Sequence, residues 1–262
     1  MTICIGAICE KRTKVICASD RMVTSRQLLI EFEHDEAKFE VLTKKCVALT
    51  AGEALPPTEI FRAARTEIQD SPRISEIADI VEKNFVRMRM RRVENLFFRP
   101  RQLTIQNFIQ AQRVMNPNVV LRLDRLIETT KMNLNILIVG VDMDGGHLFQ
   151  IIDPGLAECF DKLGFHAIGS GLPHAISTFI AYRYTPQVPV KKAVYIVYEA
   201  KRNAEKAPGV GRAIDMAIVD SQGIKIIKPN EIDLLEKIYQ EKISIEKNQK
   251  EKMEEMINAL PF

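Results

Sequence analysis

Thr2-Ile-Cys-Ile-Gly-Ala-Ile-Cys9, Glu10-Lys-Arg12 and Lys14-Val-Ile-Cys-Ala18 open the chain as two apolar runs parted by charge. That order reads as strand, turn, strand. Both runs are apolar throughout rather than alternating, so each strand is expected to be covered on both faces. Working outward, Phe39-Glu-Val-Leu42 and Cys46-Val-Ala-Leu-Thr-Ala-Gly52 flank Lys44-Lys45 as a second pair. Asn135-Ile-Leu-Ile-Val-Gly-Val-Asp142 is a further, strongly apolar strand, and Asp144-Gly145-Gly146 predicts a tight turn into His147-Leu-Phe-Gln-Ile-Ile152. Asp153-Pro-Gly155 closes that pair, and Ile214-Asp-Met-Ala-Ile-Val219 and Ile224-Lys-Ile-Ile227 form a late pair around Ser221-Gln-Gly223.

Between the strand groups the apolar period lengthens. Ile60, Phe61, Ala64 and Ile68 predict one helix, and Ser75, Glu76, Ile77, Ile80 and Val81 the start of another. Further helices are expected over Ala175 to Ala181 and Val190 to Lys206, the latter with Val194, Val197, Tyr198 and Ala200 as its apolar positions. The expected organisation is one α+β domain over 1–229, with antiparallel strands, helices grouped between them and an insertion at about 85–133. A charged helix follows over 230–262.

The chain has 262 residues, 46% apolar and 27% charged, with 12 Gly, 12 Pro and no Trp; this excludes collagen-like, disordered and disulfide-scaffold classes. The 37 basic and 34 acidic residues leave +3, which neither demands nor excludes a nucleic-acid partner. Cys4, Cys9, Cys17, Cys46 and Cys159 are odd in number and mostly within apolar runs, which fits buried thiols in a reducing compartment. No metal-ligand spacing is present, so neither a metal nor a cofactor is expected. The chain has no apolar run of 18 residues and no secretory leader pattern, so a cytoplasmic location is expected.

The candidate chemistry begins at Thr2. A small second residue permits removal of Met1, which would leave Thr2 with a free α-amine of pKa about 7.7–8.0, partly neutral at physiological pH. One residue then supplies a hydroxyl nucleophile and the base that activates it.

Thr2-Ile-Cys-Ile-Gly6, Ala18-Ser-Asp20-Arg-Met-Val-Thr24-Ser25, Lys38 and Thr50-Ala-Gly52 resemble, in this order, the β subunits of the proteasome and the HslV peptidase. Lys38 and Gly52 stand fourteen residues apart, as in that family. Val139-Gly-Val-Asp142, Asp153-Pro-Gly155, Ala167-Ile-Gly-Ser-Gly-Leu-Pro173 and Ile214-Asp215 look like its middle and late strands and its Gly-Ser-Gly turn.

The resemblance implies a four-layer αββα sandwich and an N-terminal threonine hydrolase acting on a peptide or protein. It also implies a homo-oligomeric ring and admits an ATP-driven unfoldase as companion. It implies Thr2 as nucleophile, Lys38 as a buried ammonium favouring the deprotonated hydroxyl, and Asp20 as the group that holds it. It further implies the Gly52 N–H as oxyanion donor, Ser170 as a hydrogen-bond partner of the Thr2 amine, and Thr24 as a main-chain contact for an extended substrate.

Three departures are visible. Ala207-Pro-Gly-Val-Gly211 lacks the family's Asp and Ser; Met22 stands where the family has Arg, beside Arg21; and Glu53 follows Gly52 where a small or apolar residue is usual. They keep open a second reading, a catalytically inactive or acyl-transfer-specialised structural subunit. Arg87, Arg89, Arg91, Arg92, Arg99 and Arg101 form a basic cluster. It reads as a solvated face or a protein contact in preference to a nucleic-acid site.

Overall fold

Glu10, Lys11 and Arg12 carry positive φ of 49°, 56° and 71°, and they turn β1 (Ile3–Cys9) back into β2 (Lys14–Ser19) as the charged spacer predicts. The computed structural model describes residues 2–25, 30–34, 38–53, 56–68 and 73–260. β3 (Met22–Ser25) and β4 (Ile30–Glu33) pair antiparallel as a separate two-stranded ribbon, Met22 opposite Glu33 and Ser25 opposite Ile30.

Two five-stranded antiparallel sheets carry the fold. In the first, β1 lies between β2 and β10 (Phe165–Gly169), while β11 (Asp215–Asp220) and β12 (Gly223–Ile226) extend it beyond β2. The second runs β5 (Phe39–Thr43), β6 (Cys46–Gly52), β7 (Leu134–Asp142), β8 (Gly145–Ile152), β9 (Leu156–Cys159). The architecture is thus mixed α and β with antiparallel sheets.

Side-chain alternation assigns the faces. In β1, Ile3, Ile5, Ala7 and Cys9 join a core with Ala175 and Phe179 of α5 (Leu172–Ala181) and Ile196 and Val197 of α6 (Val190–Ala204). Cys4 and Ile8, on the other face, join Val47 and Leu49 of β6 and Leu137 and Val139 of β7. Gly6 shares that face, and a Cβ there would press to 2.7 Å from Leu148, so the strands meet closely where it lies. The outer face of the second sheet, Ala48, Ile136 and Ile138, packs with Phe61 of α1 (Pro56–Glu67) and Ile77 and Val81 of α2 (Ile74–Val93). Burying each large aliphatic or aromatic side chain contributes about 1.5–3 kcal/mol, so these three clusters dominate stability.

The 85–133 region builds its own small core. α2 continues through Phe85 to Val93, a π-helical turn and a 3-10 turn follow, and α3 (Ile105–Ala111) and α4 (Pro117–Thr129) complete it around Phe98, Phe108 and Leu123. Within the arginine cluster one member is buried and the others lie nearer the surface. Arg89 is 7% exposed and donates to the carbonyl of Thr130 at 2.9 Å, and Arg87, Arg91 and Arg92 pair with Glu67, Glu59 and Glu53. Arg87, Arg91, Arg99 and Arg101 stay exposed, so the cluster is a largely solvated, ion-paired face, and the acidic partners of Arg87, Arg91 and Arg92 are distant in sequence and meet them only in the fold.

α7 (Pro229–Asn258) rests Ile232, Leu235 and Tyr239 on the first core, and the helix is exposed beyond Ile243. Cys4, Cys9, Cys17 and Cys46 are buried free thiols and Cys159 is exposed. Among the described residues, no helix is long and apolar enough to cross a membrane.

His147 ties the β7–β8 hairpin to its surroundings. Its Nδ1 lies 2.6 Å from Asp161 Oδ2 and its Nε2 2.9 Å from Asp142 Oδ1, while Asp142 Oδ2 accepts the Ile74 N–H that starts α2. The Asp161 hydrogen bond, partly opposed by burial, raises the imidazole above its ordinary 6.5. A raised folded-state pKa stabilises fully below the unfolded value, and the gain is lost as pH climbs through the folded one. Urea unfolding of wild type and His147→Gln should therefore show the widest gap near pH 6, narrowing toward pH 9. A gap constant over that range would contradict the linkage.

Candidate active site

β1 places Thr2 one step before Ile3, on the same face as Cys4, so its side chain turns toward the second sheet. Thr2 is 3% exposed, and its hydroxyl donates to Asp20 Oδ1. Lys38 Nζ donates to Thr2 Oγ1 at 2.5 Å, to Asp20 Oδ1 at 2.8 Å and to the Met22 carbonyl. Thr2, Asp20 and Lys38 therefore form one contact triangle, although they come from three separate segments.

Asp20 follows β2 and has no solvent exposure. Its Oδ1 also faces the Ile3 N–H at 3.3 Å, and its Oδ2 accepts the Gly211 N–H at 2.9 Å. A carboxylate this deep needs such donors, because each unpaired charge loses several kcal/mol of hydration. Lys38 is largely buried, so the pair works in a medium of lower dielectric than water.

Register locates Gly52. Phe39 pairs with Leu49, so Lys38 stands level with Thr50 as β6 runs on to Gly52 two residues later. At about 3.3 Å per residue, Gly52 lies within about 7 Å of that level along the strand. Cys4 Sγ donates to the Thr50 carbonyl at 3.4 Å, which fastens this end of β6 beside β1. Gly52 has φ +120°, and a Cβ there would overlap the Asn133 carbonyl, so the position needs glycine. Glu53 next to it donates its N–H to the Asn133 carbonyl and pairs through its carboxylate with Arg92, at 3.0 and 3.3 Å.

Ser170 is brought to the Thr2 main chain. Its Oγ lies 3.4 Å from the Thr2 carbonyl oxygen and 3.3 Å from that of Pro208, and the Gly171 N–H also reaches the Thr2 carbonyl at 3.4 Å. The Gly169-Ser-Gly171 turn thus holds the Thr2 main chain on its carbonyl side, because β10 ends there, opposite Ile3. The Thr24 main chain pairs with Glu31 across the β3–β4 hairpin, and its side chain lies outside the described residues.

Three participants escape a reading of the sequence. Met22 contributes its carbonyl, Gly211 its N–H, and Arg21 a two-pronged pair with Asp215 at 2.8 and 2.6 Å beside the site. Of these only Arg21, through its pair with Asp215, acts by its side chain. Main-chain donors and acceptors leave no trace in residue type.

Chemically, the triangle is suited to an alkoxide. The ammonium already contacts Oγ1, so negative charge developing there is met without rearrangement. Cys4 is no rival, since burial pushes its thiol well above 9.0 despite the nearby lysine. Nor is His166, a core residue stacked on Phe160, bonded to Gln150 at 2.7 Å and pushed down to about 4 by burial.

No known protein-family model and no curated protein matches this chain.

Lys38→Met leaves the Asp20 carboxylate without a cation. The cost should be about 3–5 kcal/mol in urea unfolding at pH 7, since stranding one member of a buried pair is expensive. A loss below about 1 kcal/mol would assign the pair to the weak surface class.

Proposed function

We propose that this chain is an N-terminal threonine hydrolase of the proteasome-β and HslV type, cleaving amide bonds in peptides or proteins. The observation that carries the reading is the Lys38 ammonium 2.5 Å from Thr2 Oγ1 and 2.8 Å from the buried Asp20 carboxylate. Two sheets with helices on their outer faces support the four-layer αββα arrangement of that class.

With Met1 removed, Thr2 Oγ attacks the scissile carbonyl and its proton passes to the α-amine. Lys38 lowers the cost of the alkoxide and Asp20 keeps the lysine in place. The carbonyl oxygen becomes an oxyanion and takes the Gly52 N–H, a donor whose loss typically costs about 10²–10³ in rate. The protonated amine returns its proton to the leaving nitrogen, giving an ester on Thr2 and a free amine product. Water, deprotonated by the same amine, then splits the ester to acid and regenerates the hydroxyl.

A self-assembled ring is part of the proposal, as a way of secluding such a site. The competing reading, a subunit that keeps the fold without turnover, draws on the 3% exposure of Thr2 and on the side-chain-poor stretch from Ala207 to Gly211.

A peptide epoxyketone separates the two. Mass spectrometry should find the chain beginning at Thr2 and carrying one reagent mass, and Thr2→Ala should abolish both adduct and amide turnover. Retained Met1 with no adduct would favour the inert subunit.

A further inference from the structure

The buried cation that the mechanism leaves unused is Lys201, near the end of α6. Its side chain has no exposure, and all three ammonium hydrogens have acceptors. These are Glu205 Oε1 at 2.6 Å, the Gly211 carbonyl at 2.9 Å and the Arg212 carbonyl at 2.6 Å. A helix-surface lysine pairing with the residue four places on would be worth only a few tenths of a kcal/mol. Lys201 differs, since two of its three acceptors are loop carbonyls and Glu205 is already the C-cap of α6.

Gly211 links this cation to the site. Its carbonyl accepts from Lys201 at 2.9 Å while its N–H donates to Asp20 Oδ2 at 2.9 Å. No side chain between Ala207 and Gly211 can orient a neighbour by hydrogen bonding, so the loop's contribution is main chain alone and must be held from outside. Asp20 also acts electrostatically on Lys201, which places cation and carboxylate in one field.

We propose that Lys201 is a positioning residue for the Thr2 site. It clamps the loop ahead of β11 so that the Gly211 N–H occupies Asp20 Oδ2 and leaves Oδ1 for Thr2 and Lys38. The role rests on the reading of Thr2 as nucleophile.

The test is Lys201→Met, which keeps the apolar stem and removes every donor. Deuterium uptake at the Gly211 amide should rise about tenfold or more. The kcat for a fluorogenic peptide amide should fall on the order of 10²-fold at unchanged KM, as for a misplaced catalytic constellation. Lys201→Gln, with a neutral donor, should recover part of both, and it carries the same measurements if the Met variant does not fold. Wild-type uptake at Gly211 in a folded variant overturns the clamp; faster uptake with unchanged kcat overturns the positioning role. If wild type shows neither turnover nor a Thr2 adduct, the nucleophile reading fails separately, and Gly211 exchange still decides the clamp.

Discussion

The Asp20 carboxylate, sealed from solvent at the end of β2, draws donors from β1, from the segment before β5 and from the loop before β11. A buried charge tolerates few arrangements, since each missing partner exposes it to the full cost of lost hydration. The three segments are therefore fixed relative to one another by electrostatics rather than by shape. Thr2 is positioned as a by-product, because its hydroxyl and the Ile3 N–H share the oxygen that Lys38 neutralises.

The apolar cores and the polar site divide the labour. Three clusters supply burial on both faces of each sheet, while the site occupies the end of the layer between the sheets. Alternation along β1 carries one consequence directly: the parity that sends Ile3 and Ile5 to the helices sends Thr2 and Cys4 toward β6. Shifting β1 by one residue would put Thr2 against α5 and dissolve the triangle.

Most strands were legible because their residues advertise burial on both faces and their turns carry Gly, Asp or charge. The Thr2, Asp20 and Lys38 grouping was implied only by the family resemblance, and the Ser170 contact carries no signal in residue type, because its partner is a main-chain oxygen. In 85–133 the helical signal resided in caps: Asn116 accepts the Asn118 N–H ahead of Pro117, and Thr104 accepts that of Asn107. Pro117 therefore starts α4 where a reading for breakers sees only interruption. Lys201 had a signal too. Val194, Val197 and Tyr198 mark an apolar stripe, and position 201 is its next member. A lysine on a stripe of that spacing is buried with partners, and composition alone reads it as surface.

The pairing of β1 has a practical side. β10 ends at Gly169 opposite Ile3, and the following Ser170 and Gly171 grip the Thr2 carbonyl, so the main chain is held up to that residue. Anything fused upstream of Thr2 would join the chain directly at the residue whose hydroxyl contacts Asp20 and Lys38. Purification handles therefore belong at the far end of α7, whose last turns stand clear of the body and leave the threonine unobstructed.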